Sequence, residues 1–151
     1  MTEIVLRMAT RADVPALADL ARRSFAATYA PTHDAERIRI HCGSVLSDAA
    51  VATWFDDPET RISVATRGHD VLGYGQWHPA PAPIPARHPV ELKRLYVAPE
   101  TIGAGLGQRL FETVRREAQA GGADLLWLCV YAGNDRARRF YARQGLIAIG
   151  H

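Results

Sequence analysis

The 151-residue chain predicts an α/β fold, a mixed central sheet with helices on both faces, and three observations carry that expectation. Apolar spacing runs in the order strand, helices, three-strand meander, helix, strand, helix. Glu91 to Val114 reads as a strand, a turn at Pro99, a glycine-rich loop and an amphipathic helix. Asp124 to Val130 is a nearly continuous apolar run, the pattern of a strand covered on both faces.

Ile4 to Met8 is a short strand candidate. Asp13 followed by Pro15 is a helix-start signal, and Val14, Leu17, Leu20, Ala21 and Phe25 form one apolar stripe, so a first helix is expected to about Ser24. A second helical stretch starts near Asp34, and a short one spans Asp48 to Phe55. Arg61 to Thr66 and Val71 to His78 form a hairpin around Arg67–Asp70, and Gly73 and Gly75 thin its second strand, as happens at bulges or close approaches. Pro79 to Pro89 is a stiff exposed loop. In the next strand strict alternation puts Glu91, Lys93, Leu95 and Val97 on one face and Leu92, Arg94 and Tyr96 on the other. Gly121-Gly122 ends the following helix, Asn134 opens another that Gly145 closes, and Leu146 to Ile149 is expected to start a last strand.

Composition bounds the function. Residues 1–151 are read as one domain with its own core. A net charge of +2 gives no sign of nucleic-acid binding, and no apolar run reaches membrane-spanning or signal-peptide length, so a cytoplasmic protein is expected. Cys42 and Cys129 do not make a disulfide framework, and Cys129 is expected to be buried in its strand. The six histidines lack ligand-like spacing, so no metal is expected.

The junction from Ile102 to Gln108 carries the chemistry. Unpaired N–H groups of a first helical turn and the positive end of the helix dipole face an incoming anion, and glycines let the backbone approach it. Glycines serve turns and caps equally well, and no Gly-Lys-Ser/Thr ending follows, which argues against an ATP or GTP loop.

Two motifs give the loop a ligand. Leu95-Tyr-Val-Ala-Pro99 followed by Ile102-Gly-Ala-Gly-Leu-Gly107, and Asn134-Asp-Arg-Ala137 leading to Tyr141 and Gly145-Leu146, resemble the pyrophosphate loop and the Asn, Ala, Tyr, Gly-Phe signature of the Gcn5-related N-acetyltransferase family. The chain is similar in particular to its PaiA-type members, linked with polyamine acetylation. Ile102 stands where the family has Gln or Arg, and Leu146 where Phe is commoner. The resemblance implies acetyl-CoA as co-substrate and a primary amine as acceptor, a small amine or polyamine foremost, attacking directly in a ternary complex.

It also implies roles. Backbone from Leu95, Tyr96 and Val97 would hold pantetheine, with the Val97 N–H a donor to the thioester oxygen. Ile102, Gly103, Ala104, Gly105, Leu106, Gly107 and Gln108 would hold the pyrophosphate, and Asn134 would cap its helix and bond the pantetheine arm. Tyr141 would be the general acid, with a core tyrosine as the plain alternative, and Glu91 the general base, with a solvated strand charge as its alternative. Arg109, Arg136, Arg138, Arg139 and Arg143 are candidates for the ribose phosphate or ordinary solvated charges. Tyr29, Trp54, Trp77 and His78 are acceptor-side or core residues, and Asp56, Asp57 and Glu59 either attract a polycation or end a helix. Family members continue into a further strand, so an open edge and a homodimer are expected here. A catalytically silent acyl-CoA-binding regulator is the rival reading.

Overall fold

The structure is a computed structural model that describes residues 3–150. Strands β1 (Val5–Met8), β2 (Arg61–Arg67), β3 (Asp70–Pro79), β4 (Pro89–Val97) and β5 (Leu125–Trp127) form one sheet in that order. The first four pair antiparallel and β5 joins β4 in parallel. Helices α1 (Val14–Tyr29), α2 (Ala35–Ser44) and α3 (Asp48–Ala52) lie between β1 and β2 in sequence, α4 (Leu106–Ala120) between β4 and β5, and α5 (Asp135–Arg143) after β5. A return to parallel pairing needs a long crossover, and α4 supplies it.

The sheet is covered on both faces because its middle strands alternate. Ile62, Val64 and Tyr74 pack against Leu17, Leu20 and Ala21 of α1, and Ala65 and Leu72 pack with Leu106 and Leu110 of α4. The α4 stripe of Leu106, Leu110, Phe111, Val114 and Ala118 is fully buried, each large side chain contributing about 1.5–3 kcal/mol.

Gly73 and Gly75 have the close neighbours that their positions suggested. A Cβ on Gly73 would lie 2.6 Å from Leu110 Cδ1, and one on Gly75 would lie 2.9 Å from Val114 Cγ2. The absent side chains let α4 settle directly on β3.

Several elements depart from the sequence expectations. Helix α1 runs on to Tyr29, since no proline or glycine interrupts it after Ser24. Asp13 does not cap α1 through its side chain; its carboxylate turns back to accept the Thr10 N–H at 2.7 Å and both Arg7 Nη groups at 2.8 Å. Strand β5 covers three residues of the apolar run, and Cys129 lies beyond it, exposed. Leu146 to Ile149 form no strand, and Ile147 is 84% exposed. An apolar run becomes a strand only beside a partner edge, and the β4–β5 ladder has ended at Trp127.

Gly73→Ala is expected to cost about 1–3 kcal/mol, because Leu110 is wholly enclosed and cannot yield. Urea titration measures it, and an unchanged midpoint would refute the close approach. The Arg7 hydrogen bonds hold the Asp13 carboxyl below the ordinary carboxylate range, so their stabilisation is present above about pH 4 and is lost as the pH falls through the folded-state value. Asp13→Asn should therefore cost at most about 1 kcal/mol at pH 7, the scale of a solvent-screened ion pair, and progressively less in acid, as read by paired thermal melts.

Candidate functional site

The site is organised by one irregularity in β4. Gln76 faces Arg94, but the next residue of β3, Trp77, faces Leu92, so Lys93 is an extra residue with no partner. A bulge of this kind turns side chains and bends the strand. Strict alternation fails there. Val90, Leu92 and Leu95 pack on the α4 side, whereas Tyr96 packs with the α1 cluster and Arg94 bonds Gln76 on that same face. Glu91 therefore shares the α1 face with Arg94 and Tyr96, not with Leu95 and Val97 as alternation predicted. The result is a row of cross-strand pairs: Tyr96 on Tyr74, Arg94 on Gln76, Glu91 on His78.

The bulge also opens the sheet. Glu91 is opposite Trp127, the last residue of β5, and beyond it β4 continues beside β3 alone. Among the described residues the second edge of β4 is unpaired from Leu92 to Val97. The Ala98 N–H donates to Leu72 O at 2.7 Å, and successive backbone groups point to opposite sides. The N–H and C=O of Val97 and Leu95 thus face the gap beside β5, while those of Tyr96 face β3.

That free edge leads directly into the glycine loop. Gly103 (φ 90°) and Gly105 (φ 83°) hold the left-handed conformation that other residues adopt at a cost, and Gly105 precedes the first turn of α4. Ile102 and Ala104 donate backward to Pro99 O and Thr101 O. Among the described residues, the N–H groups of Gly103, Gly105, Leu106, Gly107 and Gln108 donate to no protein oxygen. They form a cradle of donors at a helix N-terminus, suited to an anion. Exposed Ile102 adds no polar group to it.

Helix α5 closes the far side of the gap. Asn134 Oδ1 accepts the Ala137 N–H at 3.1 Å and caps the helix. Phe140 and Tyr141 both lie edge-on to Phe111 of α4, with centroids 6.3 and 6.0 Å away. Burial, then the neighbouring Tyr29, raises the Tyr141 hydroxyl above the ordinary tyrosine value; burial, with Tyr29 and Tyr74 next in effect, raises that of Tyr96. Both keep their protons through neutral pH. Tyr29, Tyr96 and Tyr141 form one cluster of hydroxyls, joined from outside by the rings of His33 and Tyr131.

On the α1 face a cavity of about 220 Å³ opens between α1, α2 and the bulge, with Phe25, His41, Tyr74, Lys93, Arg94 and Tyr96 on its walls. The Arg94 guanidinium donates to Gln76 Oε1 at 2.8 Å and lies 4.5 Å from the centroid of the Trp54 ring. Burial and then the Arg94 charge hold His41 below the ordinary imidazole value, and its ring stacks on Phe25 at 4.1 Å. One pair further along β4, His78 Nε2 and Glu91 Oε1 are 3.1 Å apart, both partly accessible.

Other sequence candidates resolve differently. Trp77 is not on the acceptor side: it is buried in the α4 cluster with Leu92 and Phe111. Asp56 pairs with Arg11, and Asp57 accepts the Glu59 N–H, so both are occupied locally. Arg109, Arg136, Arg138, Arg139 and Arg143 are exposed, and Arg138 sits 3.7 Å from Asp135. Among the described residues no group of three or more His, Cys, Asp or Glu is placed to hold a metal, and no helix is long and apolar enough to cross a membrane. Alternation missed Lys93 and Arg94 as cavity residues, because two adjacent polar residues give no sign of which one the ladder leaves out.

Comparison with known proteins agrees with this geometry. The acetyltransferase (GNAT) family matches residues 15–146. An uncharacterized N-acetyltransferase of Mycobacterium tuberculosis is 32% identical over 133 residues, 88% of this chain and 82% of the relative. Another, from Lactobacillus delbrueckii subsp. lactis, is 24% identical over 97% of this chain and 86% of its own length. The crystal structure of PaiA N-acetyltransferase from Thermoplasma acidophilum in complex with coenzyme A superposes with a TM-score of 0.81 at 22% identity, covering 94% of this chain and 88% of that one. Ribosomal-protein-alanine N-acetyltransferase from Brucella melitensis biovar Abortus 2308 gives 0.70 at 16% identity, over 99% and 96%. With the family matched across nearly its whole length, the chain belongs to the GNAT family of acetyltransferases.

Proposed function

We propose that the protein transfers the acetyl group of acetyl-CoA to a primary amine, in a complex that holds both substrates at once. The observation that carries this reading is the unpaired edge of β4 running into an unbonded N–H cradle at the start of α4. The fit to CoA is a fit of donor types. Leu95 and Val97 offer strand-like backbone groups for the pantetheine amides. Gly103 to Gln108 offer N–H groups for the pyrophosphate, and left-handed Gly103 and Gly105 keep side chains out of its way. Asn134 uses its carbonyl oxygen on the cap and keeps its amide N–H groups for the arm.

Bound acetyl-CoA supplies an acetyl group activated as a thioester. The protein must then provide a neutral amine, a polarised carbonyl and a proton for the departing sulfur. Glu91, accessible and oriented by His78, takes a proton from the alkyl ammonium, so that the nitrogen lone pair can form the new C–N bond. The Val97 N–H, free on the gap side, donates to the carbonyl oxygen as negative charge develops there. Tyr141, held protonated by its burial, gives its proton to the sulfur as the C–S bond breaks, and the nitrogen of the new amide releases its second proton to the tyrosinate so formed.

Glu91→Gln is expected to lower kcat/KM by about 10²–10⁴-fold, with activity recovering as the pH is raised towards the pKa of the acceptor amine, where free amine accumulates without a base. Tyr141→Phe should lower kcat by a similar factor while acetyl-CoA still binds, since only the hydroxyl is removed. Thiol release measures both. If the wild-type protein binds CoA yet never exceeds the uncatalysed rate with any amine, it is a CoA-binding regulator and not an enzyme.

A further inference from the structure

We propose that the acceptor carries an anionic group, a carboxylate or a phosphate, close to the amine that is acetylated, and that Lys93 and Arg94 hold this group in the cavity beside α1. This rests on the acetyltransferase reading above and narrows its substrate.

The bulge makes the site. It brings two consecutive cations, Lys93 and Arg94, to the wall of one cavity, where strict alternation would send them to opposite faces. Among the described residues, neither has a carboxylate within 4.0 Å, although eight arginine–carboxylate pairs form among them. Arg94 is partly buried, fixed by Gln76 on one side and Trp54 on the other. One bond to Gln76 leaves most of its five N–H donors unused, and a guanidinium fork matches an oxyanion. A partly desolvated guanidinium without a carboxylate partner gains when an anion meets it, and exposed Lys93 adds a second positive charge beside it.

The remaining walls agree. Phe25, Tyr74 and Tyr96 are aromatic, and His41 is kept neutral by burial and by Arg94 itself, so nothing on the cavity wall offers a carboxylate to a second ammonium. A polyamine would place positive charge against Lys93 and Arg94 and be rejected. Glu91 lies on the same strand face three residues before Arg94, an interval of at most about 10 Å at the rise of a strand. One small zwitterion, with its amine towards Glu91 and its anion at Arg94, spans that interval.

The test is binding and turnover measured in parallel on the full chain with CoA or acetyl-CoA present. The probes are a panel of α- and ω-amino acids, each with its methyl ester, together with 2-aminoethylphosphonate and spermidine. A free acid or the phosphonate should bind at least about 10-fold more tightly than the matching ester or spermidine, the scale of a charge-assisted hydrogen bond. Which of the two wins tells carboxylate from phosphate. Arg94→Gln should collapse that preference, and Lys93→Gln, at an exposed position that does not threaten folding, should reduce it. Esters or spermidine binding as well as every acid, or an acid preference that survives in both variants, would overturn the proposal. An acid preference in binding with no amine acetylated would keep the anion subsite and sink acetyl transfer, so the two readings fail separately.

Discussion

The extra residue at Lys93 is the constraint on which the rest of the site depends. A ladder with one unmatched residue cannot keep its pleat, so the strand bends and side chains on either side of the bulge change places relative to strict alternation. Pairing with β5 ends at Glu91, just before that bend, and the rest of β4 presents a bare backbone edge. The bend also puts Glu91, Arg94 and Tyr96 together over α1. One local fault in a sheet thus yields an opening for a linear ligand on its edge and a row of polar side chains on its face.

The surroundings keep this opening in place. Bare Gly73 and Gly75 let α4 press against β3, which fixes the start of α4 and hence the cradle at Gly103–Gln108 next to the end of β4. The base of the fork is tied separately. The Asp124 carboxylate accepts the Arg87 and His88 N–H groups at 2.9 and 2.8 Å, and Trp127 Nε1 donates to Ala80 O, so the proline-rich loop and β5 hold each other where the strands still pair. Phe111 carries the other arm, as Phe140 and Tyr141 of α5 pack against it. The two sides of the gap share the α4 core, which gives Tyr141 a fixed place.

Much of the site was legible before any coordinates. The glycine loop, the helix after it and the Asn134 cap are local features whose residues state their own geometry, and each formed where it was expected. Fold class followed from the order of strands and helices, and the family from the resemblance of the two motifs. Glu91 and His78 were both visible as polar residues on neighbouring strands, but their 3.1 Å pairing depends on register, which a sequence does not print. The expected burial of Cys129 and the strand at Leu146–Ile149 failed for a related reason: hydrophobicity marks a segment able to pair, and pairing needs a free edge at the right place.

What the sequence by itself determined is a set of local conformations: where glycine permits a left-handed turn, where the helices opened by the glycine loop and by Asn134 start and stop, and which helix stripe is apolar. These are decided within a few residues by sterics and hydrogen bonding. What only the tertiary structure decided is which side of β4 each residue faces, and therefore that Lys93 and Arg94 share a cavity with the row that begins at Glu91. A bulge is a property of two strands in register and of the sheet that bends around it. No alternation in β4 alone contains it.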